Sequence, residues 1–264
     1  MTEPAPTART ALITGASSGI GKALAANFAR DGWNLVLAAR SVDKMRATAD
    51  ELGQRHGITA TVIRADLETG EGAAQLHADV KRRGIVISAL VNNAGFGTSG
   101  PFKESDLASD LAMMQLNMTA VVALTKLFMP DLLAARGKLL NVASTAAFLS
   151  GPYMAIYYAT KAFVLSFSEA LATELEGTGV TVTTLCPGPT ASDFWSRSNM
   201  QETGLVKGKK LPTSEDVAAA GYRAMERGDR IFIPGIKNWL MAQSTRITPR
   251  RVTASVAARM NRSR

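Results

Sequence analysis

The chain has almost nothing with which to build a disulfide or a soft-metal site: one cysteine, Cys186, and two histidines, His56 and His77, in 264 residues. A single thiol excludes an intrachain disulfide and suits a reducing, cytoplasmic setting. Two histidines in polar stretches assemble no tetrahedral ligand set, so no metal is expected, and histidine catalysis is disfavoured. No uninterrupted apolar run reaches the ~18 residues that a membrane span needs. Residues 1–8, with Glu3 and two prolines, lack the basic-then-apolar order of a secretory leader and read as a disordered lead-in. Residues 237–264 contain no acidic side chain, yet carry Lys237, Arg246, Arg250, Arg251, Arg259, Arg262 and Arg264. These seven charges account for nearly all of the formal net charge of +8, so the rest of the chain is close to neutral. A basic tail on a neutral body argues against nucleic acid as a partner. There is no internal repeat and no low-complexity linker, which leaves a single domain.

What is present is an alternation of short apolar runs with longer amphipathic segments. The runs at 10–14, 34–39, 59–64, 85–92, 138–142, 180–185 and 230–233 read as strands. The segments at 19–30, 42–55, 72–83, 107–135, 153–176 and 214–227 read as helices. Continuously apolar strands separated by crossover helices predict an α/β fold with a parallel sheet covered on both faces. Residues 188–212 and the segment after Pro234 break this rhythm, and long irregular stretches of this kind tend to be functional lids.

Five groups of residues carry chemistry. The first strand runs into Thr14-Gly15-Ala16-Ser17-Ser18-Gly19-Ile20-Gly21, whose glycines permit a tight turn and close approach of a pyrophosphate to a helix N-terminus. The second strand ends at Ala39-Arg40, with no acid there to hold a ribose diol and a guanidinium suited to a 2′-phosphate. Asp66-Leu67 and Asn92-Asn93-Ala94-Gly95 follow the third and fourth strands, at carboxyl ends where ligands collect in such sheets. Asn117 lies in an otherwise apolar helix and needs side-chain partners there. Tyr157 and Lys161 stand four apart, on one helical face, with Ser144 thirteen residues before the tyrosine. A nearby cation favours a phenolate and brings its pKa toward the working range.

Together with Pro187-Gly188, these motifs closely resemble the short-chain dehydrogenase/reductase family, in type, order and spacing, over residues 9–235. The resemblance implies a three-layer, doubly wound Rossmann fold with a seven-stranded parallel sheet and hydride transfer between NADP and a carbonyl or secondary alcohol. It implies that Tyr157 is the acid/base, that Lys161 lowers the tyrosine pKa and holds the nicotinamide ribose, and that Ser144 orients the carbonyl. It gives Asn117 a backbone-held relay water, and it makes Pro187, Gly188 and Thr190 the seat of the nicotinamide ring. The family often has threonine where Ser192 stands, and many NADP-preferring members carry a basic residue in place of Ser18, which leaves phosphate recognition to Arg40. Tyr158 has no lysine four residues on, so it is a decoy for Tyr157.

The expected substrate walls are Phe96, Phe148, Leu149, Tyr153, Phe194 and Trp195, and their apolar character favours a lipophilic carbonyl or alcohol. A 3-oxoacyl carrier-protein reductase, or a non-catalytic NADP-binding regulator, are the alternatives. Residues 9–236 are thus expected to be one catalytic domain with a lid at 188–212 anchored by Phe194, Trp195, Met200 and Leu205. The long apolar helices at 107–135 and 153–176 imply, by resemblance, a homodimer or homotetramer. The tail, 237–264, is expected to be separable from catalysis and, through a Val252, Val256, Met260 stripe among arginines, to contact an anionic membrane or a neighbouring subunit.

Overall fold

A strand that is apolar at every residue can be buried only when both faces of its sheet are covered. β1 (Thr10–Thr14) is buried along its whole length. Around it stand β2 (Asn34–Ala39), β3 (Ala60–Arg64), β4 (Ala89–Asn92), β5 (Lys138–Val142), β6 (Thr181–Leu185) and the short edge strand β7 (Ile231–Phe232). In the computed structural model, which describes residues 9–192, 194–197, 208 and 210–262, these seven strands form one parallel sheet in the order β3-β2-β1-β4-β5-β6-β7.

The helices divide between the two faces. α1 (Gly19–Arg30), α2 (Val42–His56) and, after the one-turn α7 (Phe194–Arg197), α8 (Ser214–Arg227) cover one side. There Phe28 is fully buried, edge-on to Trp33 at 5.2 Å and to Tyr222 at 4.9 Å, a burial worth about 1.5–3 kcal/mol. α3 (Gly72–Arg82), α4 (Leu107–Met114), α5 (Ala120–Ala135) and α6 (Ala155–Glu174) lie toward the other, over a core of Leu76, Leu90, Leu124, Phe128 and Leu139. This is the three-layer Rossmann arrangement the sequence predicts. The chain runs outward from β1 to β3 and then returns to place β4 on the opposite side of β1, so a crevice opens at the carboxyl ends of β1 and β4.

Three expectations are revised. The helix at 107–135 is not uniform, because a π turn over Gln115–Thr119 separates α4 from α5 and contains Asn117. The combined segment Leu107–Ala135 is, by length and composition, long and apolar enough to cross a membrane. Its inner face nevertheless packs into the core through Leu116, Leu124, Phe128 and Leu132, and its buried Asp131 pairs with Lys81 and accepts from the N–H of Ile87 at 3.1 Å. α6 begins at Ala155 rather than 153, since Tyr153 adopts φ +66° and Met154 is also non-helical. Residues beyond 235 are not a detached tail. α9 (Ile236–Ser244) and α10 (Arg250–Asn261) fold back onto the body, burying Ala242, Ala257 and Asn261.

Candidate active site

At the switch point, two turns are stitched together by side-chain hydrogen bonds. The Thr14 hydroxyl donates to the Val91 carbonyl at 3.2 Å and accepts from the N–H groups of Asn93 and Ala94 at 3.0 and 3.1 Å. The Asn93 amide donates back to the Thr14 carbonyl at 2.9 Å. This approach leaves no space for a side chain at Gly15: a Cβ there would come within 2.8 Å of the Asn93 amide, and the residue sits at φ +65°. α1 then starts with Ser18 in extended conformation, making no side-chain cap, and no acid occupies the first turn. Its leading N–H groups point toward a cavity bordered by Gly15, Ser17, Ser18, Gly19 and Ile20.

That cavity is continuous, about 900 Å³, and extends from α1 and Arg40 across Asn93, Ala94 and Gly95 to Ser144, Tyr157 and Lys161. Leu67, Pro187, Gly188 and Thr190 also border it, as the sequence reading expects. Five expected residues do not. Gly21 packs behind the turn, where a Cβ would meet the Gly15 carbonyl at 2.4 Å. The Asp66 carboxylate turns to the N–H of Glu68 at 3.1 Å. Asn117 is buried and clamps its neighbours: its Oδ1 accepts from Phe96 N–H at 3.1 Å, and its Nδ2 donates to the Phe96 carbonyl at 2.9 Å and to Thr160 Oγ1 at 3.1 Å. Tyr153 faces a separate cavity of about 410 Å³. Phe148 packs against the Val164, Leu165 cluster instead of lining the cavity. Of the expected walls, Phe96, Leu149, Phe194 and Trp195 are in place.

Around Ser144, Tyr157 and Lys161, a buried polar ladder fixes α6 against the sheet. Asn92 donates to Asn141 at 2.9 Å, and Asn141 donates to Ser168 of α6 at 2.8 Å. Lys161 Nζ donates to the Val142 carbonyl at 2.9 Å and lies 5.8 Å from the centre of the Tyr157 ring. The Ser144 hydroxyl donates to the Pro187 carbonyl at 3.4 Å and accepts from Ala146 N–H at 3.1 Å. Burial pushes the Tyr157 phenol up to about 12, against a smaller downward pull from Ser144. Burial also drives Lys161 down to about 8. The expected lowering of the tyrosine by the lysine is not among the causes of its shift: the ammonium is turned to a backbone carbonyl, and desolvation dominates both groups.

Comparison with known proteins now bears on the site. The sequence model described as short chain dehydrogenase matches residues 9–203. The chain is a short-chain dehydrogenase. A serine 3-dehydrogenase from Agrobacterium fabrum is 33% identical over 243 residues, 89% of this chain and 95% of that protein. The structure of a short-chain dehydrogenase from Sphingobium yanoikuyae in complex with NADPH matches with 31% identity and a TM-score of 0.81, over 90% of this chain and 94% of that one. A bulky-bulky ketone specific alcohol dehydrogenase from Comamonas testosteroni matches with 31% identity and a TM-score of 0.77, over 92% and 93% of the two chains. The dehydrogenase is an oxidoreductase of alcohol and ketone groups that uses a nicotinamide cofactor. The crevice fits such a group: an uncapped helix N-terminus for a pyrophosphate, and glycine turns that leave the backbone accessible.

Sequence reasoning missed several neighbours of the site. Glu68, outside the strand-end motif, pairs with Arg40 at 2.7 Å. Tyr158, set aside as a decoy, borders the cavity, as do Met154, Asn238, Met241, Val256, Ala257 and Met260. No motif marks the last five, because their place follows from how α9 and α10 fold back. The ends of the 188–212 insert are pinned, with Ala191 N–H donating to Pro212 at 2.9 Å and Ser214 to Ala191 at 2.9 Å. Met200, Gly204 and Leu205 of the expected lid lie outside the described residues.

The opposed shifts give the dehydrogenase a pH signature. Lys161 has a folded pKa of about 8 against an ordinary 10.5, so between these values the unfolded chain holds more protons and folding stability rises with pH. Tyr157, raised from 10.0 to about 12, holds its proton longer when folded, so stability present below pH 10 is lost as pH climbs toward 12. The urea stability of wild type relative to Lys161→Met should therefore increase from pH 8 to 10.5; a flat difference would show that the ammonium is not desolvated.

Proposed function

We propose that the protein is an NADP(H)-dependent oxidoreductase interconverting a lipophilic ketone or aldehyde with its alcohol through Ser144, Tyr157 and Lys161, with Asn117 in support. The observation that carries this is the single cavity that joins an uncapped helix N-terminus to the three side chains and then to aromatic walls. When bound, the nicotinamide supplies or accepts the hydride. Tyr157, held as a neutral phenol by its burial, is poised to give a proton to a carbonyl oxygen. The Ser144 hydroxyl, beside the phenol, can donate to the same oxygen. Lys161 is placed to approach the cofactor ribose, and the Asn117 clamp fixes the Gly95–Phe96 turn against Thr160 and so against α6.

The cavity's apolar walls and size support a bulky, uncharged substrate, in keeping with the bulky-ketone alcohol dehydrogenase it resembles. The only cations lining it among the described residues are Arg40, at the α1 end, and Lys161. Neither is free at the substrate end to hold an amino-acid carboxylate, which argues against serine, the substrate in the name of one relative. Replacing Tyr157 by Phe should lower kcat by more than about tenfold, ~1.4 kcal/mol of barrier, with NADPH affinity little changed. A smaller loss across a carbonyl panel would overturn the acid/base assignment.

Preference for NADP rests on Arg40, and here the structure adds a competitor. The Arg40–Glu68 pair is substantially exposed, so it is worth only about 0–1 kcal/mol. A charge-assisted guanidinium–phosphate contact is worth about 1.5–3 kcal/mol, so a 2′-phosphate displaces the carboxylate. Arg40→Ala should weaken NADPH binding by about ten- to a hundredfold while sparing NADH, and Glu68→Gln should tighten NADPH. Equal dissociation constants for the two cofactors in wild type would remove the preference.

We also infer a cytoplasmic homo-oligomer. The lone, buried thiol of Cys186 supports the first, and the exposed Leu107, Leu111, Met114 and Val122 on α4 and its continuation support the second. Light scattering at micromolar concentration should show a dimer or tetramer; a monomer would refute it. Of the Val252, Val256 and Met260 stripe expected to meet an anionic membrane or a neighbouring subunit, Val256 and Met260 border the cavity instead.

A further inference from the structure

Tyr158 follows the reactive phenol of Tyr157 on α6, and its buried hydroxyl requires a partner. That partner comes from 103 residues away: the hydroxyl donates to Oδ1 of Asn261 at 3.1 Å. Asn261 is completely buried, and its Nδ2 donates onward to the Pro152 carbonyl at 3.0 Å. Next to it, the Arg262 guanidinium donates to the Tyr153 hydroxyl at 2.5 and 3.2 Å and lies 5.2 Å over that ring. Tyr153 is one of two non-glycine residues at positive φ among those described, and its carbonyl accepts from Gly100 N–H at 2.9 Å. The loop that leads into α6 is thus gripped at two points by the end of α10.

The same helix contributes Val256, Ala257 and Met260 to the cavity. α10 buries only Ala257 and Asn261, so few apolar contacts hold it and the polar clasp carries much of its attachment. The outer parts of Val256 and Met260 remain half exposed, at 49% and 39%. The wall is therefore one helix thick, with the cavity on one side and solvent on the other.

We propose that Asn261 is a positioning and specificity-determining residue, whose bonds to Tyr158 and Pro152 lock α10 as the wall that sets the size of the substrate end of the cavity. This rests on reading that cavity as a carbonyl site. With the clasp intact, α10 confines ketones up to the size of the cavity against Tyr157. With it broken, α10 swings away and bulkier ketones gain while small ones lose their grip.

The test uses the full chain with Tyr158→Phe, which keeps the ring and removes only the donor, and Asn261→Ala. Hydrogen exchange across 250–261 should quicken by about tenfold or more when the buried bond is lost. With NADPH, KM for cyclohexanone should rise while kcat changes little, and the kcat/KM ratio of benzophenone to cyclohexanone should shift about tenfold toward the larger ketone. Met260→Trp, which narrows the wall without touching the clasp, should shift that ratio the opposite way. Unchanged exchange in α10, or an unchanged size ratio in variants that melt like wild type, overturns the proposal. If Asn261→Ala fails to fold, Tyr158→Phe and Met260→Trp decide the matter. If wild type reduces neither ketone, the reductase reading fails by itself, and exchange together with the size ratio of ketone binding, followed by tryptophan fluorescence, still judges the clasp.

Discussion

Everything at the carboxyl end of the sheet depends on how closely the turns after β1 and β4 approach each other. The Thr14 hydroxyl serves three partners across that gap, and Asn93 returns a fourth bond. A side chain at Gly15 would drive the turns apart. Their closeness sends β1 into α1 with its leading N–H groups open, and it sets Gly95 and Phe96 where Asn117 can clamp them. Asn117 in turn reaches Thr160, next to Lys161. One chain of bonds therefore runs from the anion-binding end of the crevice to the helix that carries the phenol and the ammonium.

Desolvation then shapes Tyr157 and Lys161. Both groups are buried, and each is pushed toward its neutral form. In a dry site, a neutral phenol is a proton donor held in reserve, and a weakened ammonium responds readily to new charge nearby. The Val142 carbonyl, which accepts from Lys161 at 2.9 Å, keeps the nitrogen placed meanwhile.

Much of this was legible in the sequence, and for identifiable reasons. Three strands, β1, β2 and β5, and two helices, α1 and α8, have the bounds that their apolar patterns predict, because such runs have one way to be buried. The turn glycines, Ser144, Tyr157 and Lys161 were legible because their spacing is set by short local geometry. What escaped was set by contacts between distant segments. Glu68 reaches Arg40 from another strand end, and Tyr158 meets Asn261 across more than a hundred residues. Asp66 follows the third strand and Tyr153 stands four residues before Tyr157, but a local turn and a distant arginine direct their side chains elsewhere. The π turn at Gln115–Thr119 has no pattern in the apolar spacing around it.

Because every strand pairing is parallel, no part of the sheet can form as a local hairpin. The central pairing joins Leu12 to Leu90, and closing so large a loop comes before any contact repays it. The crevice is then among the later structures to assemble, and it exists only in the finished sheet. A cofactor that occupies it binds the native state and not its precursors, so its concentration in the cell becomes a determinant of how much of the chain is folded.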